Sequence, residues 1–299
     1  MRKVLRRAGI GLGSLVLLVL VLAAGLHVAG GRKLARTFDV PAATVAAPVA
    51  DEATIARGRH LATAIGKCAA CHGPDLGGNV MIDDPALGRA VAANLTRGRG
   101  GLPADWSIAD WDRAIRHGVR RDGTGLVIMP SQEYTYMSDE DLAALAAYLE
   151  TLAPVDRELP PTQIRLVGRA LYVADKMPLV PAALIDHEER PPAPLPGPTA
   201  EYGRYLANIG GCTGCHYPNL AGGPALEPGA PPASNLTPGG IGSWTEADFA
   251  RALRDGVRPD GSRLKEFMPV EFTKLMTDDE IRAVFLYLQT LPAKRFGER

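Results

Sequence analysis

Cys68-Ala69-Ala70-Cys71-His72 and Cys212-Thr213-Gly214-Cys215-His216 account for all four cysteines of this 299-residue chain. Two thiols three positions apart, followed at once by an imidazole, suit a particular chemistry. The thiols add to the two vinyl groups of one porphyrin while the histidine reaches its iron, so each motif reads as a covalently attached c-type haem. Structural zinc fits less well, because its Cys-x-x-Cys pairs stand a short distance apart and these are separated by over a hundred residues. A redox disulfide needs neither a second copy nor the adjoining histidine. The sequence therefore predicts two haem c groups on Cys68, Cys71, Cys212 and Cys215, with His72 and His216 as iron ligands.

The sixth ligand has to come from elsewhere. Methionine opposite histidine raises the reduction potential and closes the iron to other ligands, which suits electron transfer. Met129 and Met268 lie 57 and 52 residues after their histidines, each directly before a proline that biases its backbone toward extended geometry. They are the predicted axial ligands. Met137 and Met276 also form a matched pair, but each precedes a Ser or Thr cap and is placed to staple onto Leu142 or Ile281. Met81 and Met177 have no matched partner and read as packing. His60 answers to Tyr205 and His117 to Asp255, so both read as surface or packing residues, with bis-histidine ligation of the first haem left open. His27 and His187 fall in the apolar segment and the connector.

These ligands are positioned by a repeat. Gly58-Arg59-His60-Leu61-Ala62 answers Gly203-Arg204-Tyr205-Leu206-Ala207, Asn94-Leu95-Thr96 answers Asn235-Leu236-Thr237, and Trp106 to Gly123 answers Trp244 to Gly261. The offset stays between 138 and 145 residues, so two homologous domains stand in tandem. Ser107-x-x-Asp110 and Thr245-x-x-Asp248 resemble helix N-caps with staples from Trp106 to Trp111 and from Trp244 to Phe249. The helices they start should stop near Gly118 and Gly256. Leu142, Leu145, Ala146 and Leu149, like Ile281, Val284, Phe285 and Leu288, have helical spacing. An all-α fold is expected, with domains at 52–153 and 199–299.

Residues 154–198 are rich in proline, including Pro160-Pro161, Pro178, Pro181 and Pro191-Pro192, and read as a mostly extended spacer with a short helix near Ile164 to Ala174. At the N-terminus, Arg2, Lys3, Arg6 and Arg7 precede an uncharged, mostly apolar run from Ala8 to about Ala29. About 20 such residues cross a bilayer, and the basic flank favours the cytoplasmic side. Residues 1–30 are thus expected to be a membrane anchor, and 31–51 its tether, with the remainder in the periplasm of a bacterial inner membrane. A cleaved signal peptide is the alternative, with small residues at Ala23 to Gly25.

The two motifs, the Asn-Leu-Thr and Met-Pro pairs and the Tyr-Leu ends of the last helices resemble the class I cytochrome c fold. They are most similar to cytochrome c subunits of membrane-bound alcohol, aldehyde and gluconate dehydrogenases. The resemblance covers about residues 52–153 and 199–292. It implies that the first helix of each domain crosses the last, bringing Gly58 near Tyr148 and Gly203 near Tyr287. It also implies that Trp106, Trp244, Arg116 and Arg254 lie near haem propionates; stapling and surface charge are the other reading of those four. Asn94 and Asn235 match glycosylation sequons, but their repetition fits residues that shape a haem-side loop.

With 33 basic and 33 acidic side chains the chain lacks the electrostatic footprint of a nucleic-acid binder. The reading is a membrane-anchored dihaem cytochrome, not an enzyme. It would relay single electrons from a dehydrogenase or quinol-oxidising complex to a cytochrome or terminal oxidase. The alternatives are a dihaem peroxidase, a thiosulfate-oxidising cytochrome, or a subunit that mainly holds a complex together.

Overall fold

A computed structural model describes residues 2–47, 49–188, 194–226 and 229–299; Pro191-Pro192 of the expected spacer lie outside them. Helix α1 (Arg2–Leu34) projects with its apolar side chains exposed, Leu12, Val16 and Leu20 among them. The first domain is built from α2 (Glu52–His60), which runs into a π-turn at Leu61–Ile65, then α3 (Cys68–His72), strands β1 (Asn79–Asp84) and β2 (Gly88–Ala92), α4 (Ile108–Ile115), α5 (Ser131–Tyr134) and α6 (Asp139–Glu150). The connector adds β3 (Gln163–Ile164), α7 (Leu166–Val173) and a 3-10 turn at Pro181–Leu184. The second domain repeats the five helices of the first as α8 (Ala200–Ile209), α9 (Cys212–His216), α11 (Glu246–Asp255), α12 (Val270–Thr273) and α13 (Asp278–Thr290), and adds the short α10 (Pro238–Ile241) before α11.

Side-chain caps start these helices where the chain would otherwise leave backbone donors unmet. Ser107 and Asp110 form a reciprocal capping box at α4, as do Thr245 and Asp248 at α11. Ser138 caps α6 and Thr277 caps α13. Gly256 closes α11 in the left-handed region at φ 67°, whereas α4 ends at Ile115, short of Gly118. Within each domain the first helix crosses the last at a glycine. A Cβ on Gly58 would stand 1.9 Å from the Ala144 carbonyl oxygen and 2.8 Å from Tyr148 Cβ. On Gly203 it would stand 1.9 Å from the Ala283 oxygen and 2.9 Å from Tyr287 Cβ, so neither backbone could come so close with a side chain there.

The all-α expectation needs correction, because β1, β2 and β3 form an antiparallel sheet in that order. The Asp84 carboxylate accepts from the Ala86 and Leu87 N–H groups at 2.8 and 2.6 Å and turns the hairpin, and Gly88 takes φ 122°. The connector then pairs Gly88 with Ile164 and Arg89 with Gln163. Nor is it merely a spacer. Ile164, Tyr172, Leu179, Val180 and Ala182 bury with Val119 in a second core, onto which Leu34, Phe38 and Val40 also pack. Proline fixes backbone dihedrals without preventing burial of the Ile, Leu and Val side chains between the prolines.

The main core is continuous across both domains, running from Leu61, Ile65, Leu142 and Leu145 to Tyr205, Ile209, Ile281 and Val284. Polar groups pin the seam. Asp141 accepts from the Arg57 guanidinium at 2.8 and 2.9 Å and from the Tyr205 hydroxyl at 2.7 Å. His60, read as surface or packing, sits 2.8 Å from Glu280 of the other domain.

Candidate haem sites

Each Cys-x-x-Cys-His motif is a single helical turn entered and left through left-handed backbone. Lys67 (φ 52°) precedes the first and Gly73 (φ 79°) follows it; Gly211 (φ 70°) and Tyr217 (φ 67°) flank the second. Three residues along a helix return a side chain to the same face, which puts Cys68 with Cys71 and Cys212 with Cys215. None of the four cysteines forms a disulfide. Burial pushes the half-buried Cys68 thiol up to about 11 and raises Cys71 and Cys212 as well, the opposite of the lowered pKa that activates a redox cysteine.

The histidines are oriented alike. His72 Nδ1 lies 2.7 Å from the Ala93 carbonyl oxygen and His216 Nδ1 lies 2.7 Å from that of Ser234. A ring nitrogen that donates to a carbonyl fixes the other, Nε2, as the lone-pair nitrogen available to a metal. Burial lowers both imidazole pKa values, partly opposed by those carbonyl bonds, which keeps the rings neutral. The carbonyls are themselves held by matched loops. Leu95 N–H donates to Leu76 at 2.9 Å and Leu236 N–H to Leu220 at 2.8 Å, both leucines being left-handed at φ 54° and 60°.

Met129 and Met268 are half-buried against the main core in the loops before α5 and α12, while Met137 and Met276 are buried within it. Trp106 meets Trp111 edge to face at 5.7 Å, and its buried Nε1 has no hydrogen-bond partner among the described residues. Such a donor fits an acceptor carried by a bound group. Arg116 is engaged by Asp112 at 2.5 Å, Asp139 at 2.6 Å and the Met137 carbonyl, leaving only Nη2 unmet. Arg254 repeats this with Asp278 at 2.6 Å and the Met276 carbonyl. Both guanidiniums thus tie α4 or α11 to the foot of the last helix. The residues present fit two covalently held haems.

Asn94 and Asn235 are buried, and each spans its loop identically. Asn94 Nδ2 donates to the Val155 oxygen and Asn235 Nδ2 to that of Lys294, both at 2.7 Å, while the side-chain oxygens accept from Thr96 and Thr237. They are loop staples. Trp244 packs at the edge of the main core.

Sequence reasoning passed over three residues. Lys67 Nζ donates to the Ile65 oxygen at 2.9 Å and to the oxygen of Gly210, which ends α8 just before the other motif. Glu133 packs on that same motif: a Cβ on Gly214 would fall 1.9 Å from its Oε1 and one on Gly211 2.3 Å from its Oε2. Burial pushes its carboxyl up to about 7 despite Lys67. The Tyr134 hydroxyl donates to the Gly66 oxygen at 2.7 Å. A lysine in a position that its repeat gives to glycine was a usable signal for Lys67. Glu133, matched by Phe272, offered none.

Residues 53–149 match the family described as cytochrome c oxidase, cbb3-type, subunit III, and residues 200–292 match the cytochrome c family. The "Diheme cytochrome c-type" protein of Cereibacter sphaeroides is 31% identical over 267 residues, covering 76% of this chain and 83% of that protein. The gluconate 2-dehydrogenase cytochrome c subunit of Pantoea cypripedii is 31% identical over 290 residues, with 84% of this chain and 63% of the relative covered. The cytochrome c subunit of the quinone alcohol dehydrogenase of Gluconacetobacter polyoxogenes is 31% identical over 291 residues, at 86% and 60% coverage. This chain therefore spans less than two thirds of the length of those dehydrogenase subunits.

Proposed function

Because this chain belongs to the cytochrome c family and carries two haem c groups, we propose that it relays single electrons at the bacterial inner membrane. The donor would be a dehydrogenase or a quinol-oxidising complex, and the acceptor a cytochrome or terminal oxidase. A haem c supplies a one-electron iron couple whose potential is set by axial ligands, burial and hydrogen bonding. The protein's part is to hold that couple still and dry. His72 and His216 would bind iron through Nε2, each aimed by its carbonyl partner, with Met129 and Met268 as sixth ligands. Trp106 would donate from Nε1 to a propionate, and Trp244 would occupy the matching place in the second domain.

The observation that carries this reading is the matched pair of histidine-to-carbonyl bonds at 2.7 Å, one in each domain. A dihaem peroxidase needs one iron that differs from the other, whereas these frames are built alike. Glu133 and Lys67 of the first domain press on the second motif, which favours electron passage between the sites within one chain. A dehydrogenase partner is supported by the relatives that are dehydrogenase subunits. The exposed apolar helix α1 supports a membrane anchor.

An optical redox titration of the purified holoprotein tests the relay. Both haems should show the weak methionine-to-iron charge-transfer band, and neither should bind carbon monoxide when reduced. Replacing Met129 by Ala should remove the band from one haem only and open that iron to carbon monoxide. A wild-type haem that binds carbon monoxide would overturn the relay in favour of chemistry at an open iron.

A further inference from the structure

Helix α7 is where the N-terminal helix meets the haem domains. A Cβ on Gly30 would stand 2.6 Å from Arg169 Cβ, so α1 and α7 touch backbone to side chain with nothing between. Arg169 donates from Nη1 to the His27 oxygen at 2.8 Å and from Nε to the Ile164 oxygen at 2.9 Å. Lys33 Nζ donates to the Tyr172 oxygen at 2.7 Å and pairs with Asp175 at 2.6 Å, lying 4.4 Å from the Tyr172 ring centre. Leu34, Phe38 and Val40 then enter the second core, and Phe38 N–H donates to the Gly123 oxygen at 2.9 Å. Residues 27–40 clamp α1 to the first domain, so the segment expected to be a tether is fixed at its start.

The other side of α7 is unusual for a surface helix. Gly168, Arg169 and Tyr172 turn inward, the missing Cβ of Gly168 lying 2.4 Å from the Leu87 oxygen. On the outward side Leu166 is 39% and Val167 46% exposed and Ala174 is exposed, while Ala170 and Val173 are half-buried beside them. A helix face in water ordinarily carries polar side chains, and this one has none. It lies level with His27 to Lys33, where α1 leaves its apolar run.

We propose that α7 lies on the bilayer surface, its Leu166, Val167, Ala170 and Val173 face against lipid beside the point where α1 emerges. Anchor and interfacial helix together then set a fixed pose of the two haem domains over the membrane. The occupant is lipid because this apolar face is continuous with the helix that would cross the bilayer, and the exposed Arg32 and Arg36 flank it with positive charge suited to anionic headgroups. The inference rests on the anchor reading of α1.

Haem attachment consumes every native cysteine, so an introduced one can be labelled alone. Val167→Cys, Val19→Cys in the middle of α1, and Asp279→Cys on the exposed start of α13 would each be made in the full-length holoprotein. Each is reconstituted into phosphatidylethanolamine and phosphatidylglycerol liposomes, and its reaction with a bulky membrane-impermeant maleimide is scaled to the same variant unfolded in urea. Val167→Cys should react about tenfold more slowly than Asp279→Cys, as Val19→Cys should. Reaction of Val167→Cys near the Asp279→Cys rate, with Val19→Cys protected, would overturn the proposal and leave the anchor standing. Protection of Val167→Cys in native membranes but not in these liposomes would overturn it in favour of a protein partner on this face. Loss of the chain from liposomes in buffer alone would end both readings.

Discussion

The two haem domains share a backbone frame and differ in what covers it. Arg116 and Arg254 share two partners, an aspartate at the start of the last helix and the carbonyl of the methionine before it, and Arg116 adds Asp112. Yet the Arg116 side chain is 2% exposed and that of Arg254 34%, and the aspartates are 45% and 95% exposed. The connector makes the difference. Its 3-10 turn packs over the end of α4, with His187 2.9 Å from the buried His117 and the Ala182 backbone nitrogen 3.5 Å from where a Gly118 Cβ would stand. Nothing equivalent covers α11 among the described residues. Two similar arginine ties therefore sit in unequal surroundings, made by the connector and by buried Asp112, whose place in α11 is taken by Ala250.

The sharpest test of that contrast replaces each arginine by alanine. Arg116→Ala removes the guanidinium 2.5 Å from Asp112, which is 1% exposed, and should cost about 3–5 kcal/mol, because losing one partner of a buried pair leaves the other charge poorly compensated away from water. Arg254→Ala removes a largely solvated pair and should cost about 0–1 kcal/mol. Urea unfolding of the holoproteins, followed by absorbance of each haem, reads both. Equal losses would show that the connector does not set the environment of α4.

The helix crossings should break the other way, by being alike. Gly58→Ala and Gly203→Ala each drive a methyl into a backbone oxygen 1.9 Å away, and overpacking of this kind costs about 1–3 kcal/mol or more. The two losses should agree within error in the same unfolding assay. A cheap Gly203→Ala beside a costly Gly58→Ala would mean that the crossing in the second domain is looser than its frame.

Much of this frame was legible because it is written in local chemistry. Ser107 with Asp110 and Thr245 with Asp248 announce their helix starts within four residues, and the haem motifs are contiguous. The sheet was hidden because Asp83, Asp84 and Pro85 interrupt the alternation of β1 and because β3 is two residues long. The seam was hidden for another reason. Tyr205, Asp141 and Glu280 look like ordinary helix positions, and only the packing of one domain on the other adds the Tyr205 to Asp141 and His60 to Glu280 contacts to the bonds these carboxylates make within their own domains. Asn94 and Asn235 show the same limit, since a sequon and a buried loop staple are the same three letters until burial separates them.

Glu133 is the asymmetry that no repeat explains, since a Phe272 stands in its place in the second domain. Its folded pKa, about 7, lies above the ordinary 4.5, so the folded state holds the proton more tightly than the unfolded chain. Stability must then fall as pH rises from about 4.5 through 7, and the penalty is complete above that window. Glu133→Gln should match the wild type at pH 4 and exceed it at pH 8, by on the order of 1–3 kcal/mol. Thermal unfolding at the two pH values decides it; a variant weaker than wild type at pH 8 would mean that the carboxylate is held ionised there.

Glu280 across the seam behaves oppositely and more weakly. Burial alone would raise its pKa, but the bond from His60, the Thr277 N–H and the charges of His60 and Arg57 outweigh burial and lower it below 4.5. A carboxylate with a depressed folded pKa contributes stability above its unfolded value and loses it as pH falls through the folded one. The link between domains should therefore loosen on acidification, by about 1 kcal/mol, since His60 and Arg57 remain partly in contact with solvent. Glu280→Gln should remove this acid dependence while leaving each domain's own helix crossing in place, so the two haem environments should unfold less cooperatively at neutral pH. If the variant and wild type show the same separation of the two transitions at pH 7, the seam is held by Tyr205, Asp141 and the shared apolar core instead.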